Sequence, residues 1–141
     1  RTIAFANGVF DLLHVGHVRY LQEARALGDA LVVAVNGDAS VRALKGPSRP
    51  INAEGDRAEV LAALQCVDFV TLFHVERVTD LVGEIRPQIY AKGGDYTVES
   101  LNPEEVAALR EAGSEIRILP LVAGKSTTAT LAKAGQGKAL E

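Results

Sequence analysis

Short apolar runs recur along the chain, with room between them for little more than a helix. The runs are residues 2–6 (TIAFA), 30–35 (ALVVAV), 69–73 (FVTLF), 88–91 (QIYA) and 116–119 (IRIL). Several are apolar without alternation, as strands buried on both faces are. Between them, Val18, Leu21, Ala24 and Leu27 recur at helical spacing over residues 17–27, and Gly28 stands where a C-terminal cap would. Residues 53–64 set Val60, Leu61 and Leu64 on one helical face, and residues 78–85 do the same with Leu81 and Val82 before Pro87. Asn102-Pro103-Glu104-Glu105 reads as a helix start, with a capping side chain, a first-turn proline and acids at the positive helix end; Gly113 closes that helix. Such alternation predicts βαβ units in one doubly wound α/β domain, a parallel sheet with helices on both faces. Sites in such folds lie beyond the carboxyl ends of the strands, where the strand order reverses.

The remaining composition narrows the function. A chain of 141 residues fits one domain. It is expected to run over residues 1–134, followed by a solvated tail, 135–141, that could carry vector residues. The absence of Met places the start after a removed or omitted N-terminus. A net charge of -3 and the lack of Trp argue against a nucleic-acid binder. No apolar run approaches the ~20 residues of a membrane span. Cys66 stands alone in an apolar stretch and reads as a small hydrophobe; a chain without a cysteine pair fits a soluble, cytoplasmic protein.

The first strand leads into Asn7-Gly8-Val9-Phe10-Asp11-Leu12-Leu13-His14-Val15-Gly16-His17 and then a helix. Two histidines spaced i, i+3 at a helix N-terminus can present both rings to one side. Free helix N–H groups there favour an anion, and imidazole donors can follow charge onto a phosphate oxygen as a bond breaks. The bland alternative is that each histidine caps or packs locally. Zinc is disfavoured because neither Cys66 nor His74 stands at ligand spacing, and His74 reads as a surface residue. The polar connection 45–52 (KGPSRPIN) carries Lys45 and Arg49 and is either a plain surface link or a lid that closes on phosphate. Gly124-Lys125-Ser126 resembles the end of a P-loop, but Leu119 occupies the position of its first glycine.

The block from Asn7 to His17 resembles the HxGH motif of the nucleotidylyltransferase superfamily. Together with Val35-Asn36-Gly37-Asp38, Leu44-Lys45-Gly46, Lys92-Gly93-Gly94-Asp95-Tyr96 and Ser126-Thr127-Thr128, it is similar to the adenylyltransferase domain of ADP-heptose synthases, over about residues 2–134. The resemblance implies a Rossmann-like fold of nucleotidyltransferase type. It also implies transfer of AMP from ATP to D-glycero-β-D-manno-heptose 1-phosphate, giving ADP-heptose and pyrophosphate for lipopolysaccharide core or related glycans. By the same resemblance His14, His17 and Lys45 are catalytic. Asn7, Gly8, Phe10, Lys92, Gly94, Asp95, Ser126, Thr127 and Thr128 join the histidines in binding nucleotide. Asp11, Asp38, Lys45 and Arg57 hold the acceptor or phosphate, Arg57 as a two-pronged donor. Asp11 would either orient a histidine or cap the helix, and Asp38 carries a similar ambiguity. Mg2+ would arrive on the ATP phosphates, with no metal ligands from the protein. A homodimer, and fusion to or cooperation with a sugar kinase, are further implications. The alternative enzyme is a cytidylyltransferase acting on glycerol 3-phosphate or another small phosphorylated acceptor. Residues 121–125 lack the arginine such enzymes usually carry before Ser126, which favours adenine. A nucleotide-binding regulatory module without turnover is the reading from another class.

Overall fold

The computed structural model describes residues 1–74, 78–94 and 96–120. Five parallel strands form one sheet: β1 (Ile3–Gly8), β2 (Ala30–Asn36), β3 (Phe69–Phe73), β4 (Ile89–Gly93) and β5 (Glu115–Leu119), in the order β3-β2-β1-β4-β5. Helix α1 (Val15–Ala26) joins β1 to β2, and α2 (Asp38–Lys45) and α3 (Glu54–Ala62) join β2 to β3. Helices α4 (Thr79–Ile85) and α5 (Pro103–Glu111) precede β4 and β5. The chain winds outward from β1 through β2 to β3, then crosses back to lay β4 on the other side of β1. The reversal therefore falls between β1 and β4, and a crevice opens at their carboxyl ends.

Period-two alternation explains why the sheet is buried on both faces. Ala4 and Ala6 of β1, with Leu31, Val33 and Val35 of β2, pack beneath Tyr20, Leu21 and Ala24 of α1 and Leu61 of α3. Phe5 and Ala34 point the other way, against Val82 of α4 and Leu109 of α5. Cys66 packs against the first of these clusters. Asn102 caps α5 as the sequence predicts, its Oδ1 accepting the N–H groups of Glu104 and Glu105 at 3.0 and 3.1 Å.

Two expectations change. Strand β1 continues past Ala6, because Asn7 and Gly8 still pair with Ala34 and Val35 of β2. Residues 38–45, which show no helical period in the sequence and end on the first residue of the polar link, form α2. This helix has Asp38 in its first turn, Arg42 and Lys45 in its last, and Val41 buried beneath it. The charges complement the helix dipole and the buried valine anchors the turn. The polar link shrinks to residues 46–53, with Lys45 at its helical edge. Residues 121–134 and the tail 135–141 lie outside the described residues.

Candidate active site

The two histidines sit at the head of α1, at the carboxyl end of the central strand. His14 is the N-cap: its Nδ1 accepts the Gly16 N–H at 3.0 Å. His17 reaches back, its Nδ1 accepting the His14 N–H at 3.2 Å. This reciprocal cap satisfies N–H groups that the helix start would otherwise leave open. The ring centroids are 4.0 Å apart, and the Phe10 ring meets His17 edge-on at 5.7 Å. Because each Nδ1 is an acceptor, each neutral ring carries its proton on Nε2, and Nε2 is the donor. Burial pushes the His17 pKa down to about 4, and the neighbouring His14 adds to the shift. His17 is therefore an uncharged hydrogen-bond donor at neutral pH. The bland expectation is met, because the Nδ1 atom of each ring caps the helix start.

Phe10 is buried and adopts φ of 49°, a left-handed conformation that a bulky residue holds only when its surroundings fix it. Its ring is spent on His17 and the core. Asn7 lies at the tip of β1, where the Tyr90 hydroxyl donates to its Oδ1 at 2.6 Å, across the strand reversal. Gly8 abuts the Phe10 ring.

From the other side of the crevice, Lys92 emerges at the end of β4 with its Nζ 4.9 Å from the Tyr96 ring centroid. Burial lowers its pKa; Glu105 opposes that shift and Lys45 adds to it, so the two lysines feel each other's charge. Among the described residues neither lysine is in an ion pair. Both glycines after Lys92 are required by geometry. A side chain at Gly93 would press on the Tyr20 ring at 3.1 Å, and Gly94 has φ of 127°. Asp95, Ser126, Thr127 and Thr128 lie outside the described residues.

Three predicted acceptor or phosphate residues do other work here. Asp11, only 3% exposed, neither orients a histidine nor caps α1. Its carboxylate accepts the Ile51 and Asn52 N–H groups at 2.7 and 2.8 Å and Arg49 Nε at 3.0 Å. Burial alone would raise its pKa, but the Asn52 and Ile51 amides and Arg49 outweigh that and hold it below the usual carboxylate range. Arg57, 2% exposed, is not a two-pronged phosphate donor in this arrangement. Its Nε donates to Asn52 O at 2.9 Å, its Nη1 to Val9 O at 2.8 Å and Asn36 O at 2.7 Å, and its Nη2 to Asp38 Oδ1 at 2.8 Å. All but one of its N–H groups are thus committed. Asp38, in the first turn of α2, is tied to Arg57 rather than turned to the crevice. Lys45, the last residue of α2, is exposed. Arg49, Asn52 and Tyr90 are the participants the sequence did not single out for these contacts. A carbonyl acceptor leaves no mark in sequence, and Tyr90 sits in an apolar run that reads as core.

The fold and this crevice define a Rossmann-like α/β domain with paired histidines at a helix N-terminus. The chain belongs to the cytidylyltransferase-like family, whose model matches residues 5–133. It is 51% identical over 138 residues to a protein of Bordetella bronchiseptica named D-beta-D-heptose 1-phosphate adenylyltransferase, covering 97% of this chain and 84% of that one. It is 48% identical over 141 residues to the bifunctional protein HldE of Geotalea uraniireducens. The match takes in the whole of this chain but only 28% of that much longer protein. Among solved structures, the lipopolysaccharide core biosynthesis protein of Thermoplasma volcanium matches with a TM-score of 0.69 and 32% identity, over 86% of this chain and 96% of that one. The pantoate-beta-alanine ligase of Francisella tularensis shares the fold at 16% identity and a TM-score of 0.58, over 84% of this chain and 59% of that one. No helix among the described residues is long and apolar enough to cross a membrane.

Proposed function

We propose that this chain transfers AMP from Mg·ATP to D-glycero-β-D-manno-heptose 1-phosphate, releasing pyrophosphate and giving ADP-heptose. The carrying observation is the reciprocal His14–His17 cap, which occupies both Nδ1 atoms and so leaves the proton of each neutral ring on Nε2. The Bordetella relative at 51% identity supports the acceptor. In the reaction, a phosphate oxygen of the sugar attacks the α-phosphorus of ATP in line, and the bond to the pyrophosphate oxygen breaks. No covalent enzyme intermediate is needed, so the protein supplies position and charge. His14 and His17 donate Nε2–H to the α-phosphate as negative charge grows on it. Lys45 and Lys92, which are in no ion pair among the described residues, meet the remaining phosphate charge.

Asn7, Gly8 and Gly94 line the nucleotide's approach at the strand reversal, with Asp95 and the hydroxyls of Ser126, Thr127 and Thr128 completing its binding. The Asp11 and Asp38 carboxylates are engaged by arginines and amides, which fits a magnesium ion brought on the phosphates rather than held by the protein. We place the enzyme in the cytoplasm as a homodimer, working with or fused to a sugar kinase that makes its acceptor; relatives named bifunctional, of which this chain matches 26% and 28%, support a fused second activity. Pyrophosphate release with ATP or CTP, tested against heptose 1-phosphate and glycerol 3-phosphate, decides the matter. Release with ATP and the heptose phosphate alone is expected. Release with CTP would move the chain to the cytidylyltransferase alternative.

A further inference from the structure

Two arginines border the crevice, and their donors are spent very differently. Arg57 is sealed in, its guanidinium committed to three carbonyl oxygens and Asp38. Among the described residues Arg49 makes one side-chain hydrogen bond, from Nε to Asp11 Oδ2 at 3.0 Å, and its Nη1 and Nη2 groups donate to none of them. Its side chain is nevertheless only 14% exposed, and the Asp11 side chain is fully buried. Asp11 divides its charge among Arg49 and the two amides of Ile51 and Asn52, so the cation on Arg49 is only partly offset. An arginine that is largely desolvated, fixed at Nε and open at both Nη atoms is a fork already set for two oxygens of one phosphate. Its place fits that use. The residue anchoring it precedes His14 on the β1–α1 loop, and Arg49 follows Lys45 by one turn of chain.

We propose that Arg49, anchored by Asp11, is a phosphate-binding residue of this site, gripping a substrate phosphate through Nη1 and Nη2. The proposal rests on the nucleotidyl-transfer reading for which phosphates are present, namely the ATP triphosphate or the sugar phosphate. Its test uses equilibrium binding, not turnover. Wild type, Arg49→Gln and Arg49→Lys are titrated calorimetrically with inorganic pyrophosphate, Mg·ATP and heptose 1-phosphate, with folding checked by thermal melt. Arg49→Lys keeps a cation against Asp11 while losing the fork, and serves if the glutamine variant does not fold.

Loss of charge-assisted hydrogen bonds should weaken at least one of these ligands by about tenfold or more in both variants. Loss confined to Mg·ATP and pyrophosphate assigns Arg49 to the triphosphate; loss confined to the sugar phosphate assigns it to the acceptor. The proposal is overturned if folded variants bind all three ligands within about twofold of wild type, whatever their melting temperature, since Arg49 would then be a brace alone. It is equally overturned if wild type binds none of them. A wild type that binds them and loses affinity on substitution, yet releases no pyrophosphate, would sink the proposed reaction and leave the role of Arg49 standing.

Discussion

His14 and His17 hold each other's place: the His14 N–H donates to His17 Nδ1 at 3.2 Å, while His14 Nδ1 takes the Gly16 N–H at 3.0 Å. The contact serves the helix and the chemistry at once, so a simple deletion of either ring confounds stability with catalysis. The helix-capping chemistry of other side chains separates them.

Gln at the third helical position and Asn at the N-cap can both accept the backbone N–H groups that the imidazoles now take. His17→Gln and His14→Asn should therefore melt within a few degrees of wild type while losing about 10²–10³ in turnover, the usual effect of removing a preorganised donor. His17→Ala should lose both, with about 1 kcal/mol of stability gone. Thermal melts beside pyrophosphate release check this; a glutamine variant with near wild-type turnover would remove His17 from the chemistry.

The pH dependence follows from the His17 pKa of about 4 against an ordinary 6.5. The unfolded chain binds this proton more readily, so stability is full above 6.5 and falls as pH drops from 6.5 towards 4. Asp11, whose folded pKa is lowered, contributes stability present above its unfolded value of 3.8 and lost only below it. The two windows do not overlap. Melting temperature measured from neutral pH to 4 should decline in wild type and decline less in His17→Gln.

Arg57→Met takes a buried guanidinium away from half-buried Asp38 and three carbonyl oxygens. Breaking a buried pair on one side costs about 3–5 kcal/mol, a large share of a small domain's stability. Arg57→Lys should rescue little, since an ammonium cannot span acceptors arranged for a guanidinium. Urea denaturation measures the loss, and a variant within 1 kcal/mol, roughly the worth of one ordinary hydrogen bond, would contradict it.

Tyr90→Phe removes the donor that fixes Asn7 Oδ1. It should cost about 1 kcal/mol and raise KM for ATP more than it lowers kcat, because the amide at the tip of β1 loses its orientation. Equal effects on kcat and kcat/KM would mean that Asn7 acts on the transition state rather than on nucleotide binding.

Lys45→Ala should reduce turnover about tenfold or more, and further than Arg49→Lys does, since it removes a cation outright where the lysine variant keeps one. Turnover of wild type should also fall with added salt, with the lysine variant less sensitive.

Much of this was legible in the chain. The unalternated runs around Leu31 and Val33 read correctly as strands buried on both faces, and strand–helix alternation placed the site at the carboxyl end of β1. The histidine spacing at a helix start was equally readable. Helix α2 was not, because its eight residues carry one buried apolar anchor beside Ser40, too little to establish a period. Arg57 and Asp11 were misread for a different reason. A charged residue's type says that it will bind something of opposite charge, and only the fold says whether that partner is a ligand, Asp38, or the carbonyl of Val9.

Arg57 ties the β1–α1 loop, the end of β2 and the link before α3 through the main-chain oxygens of Val9, Asn36 and Asn52. A tie to a peptide oxygen is indifferent to which side chain that residue bears. At Val9 the side chain can thus change during descent while the spacing between the histidine loop and the lysine-bearing helix is inherited unchanged.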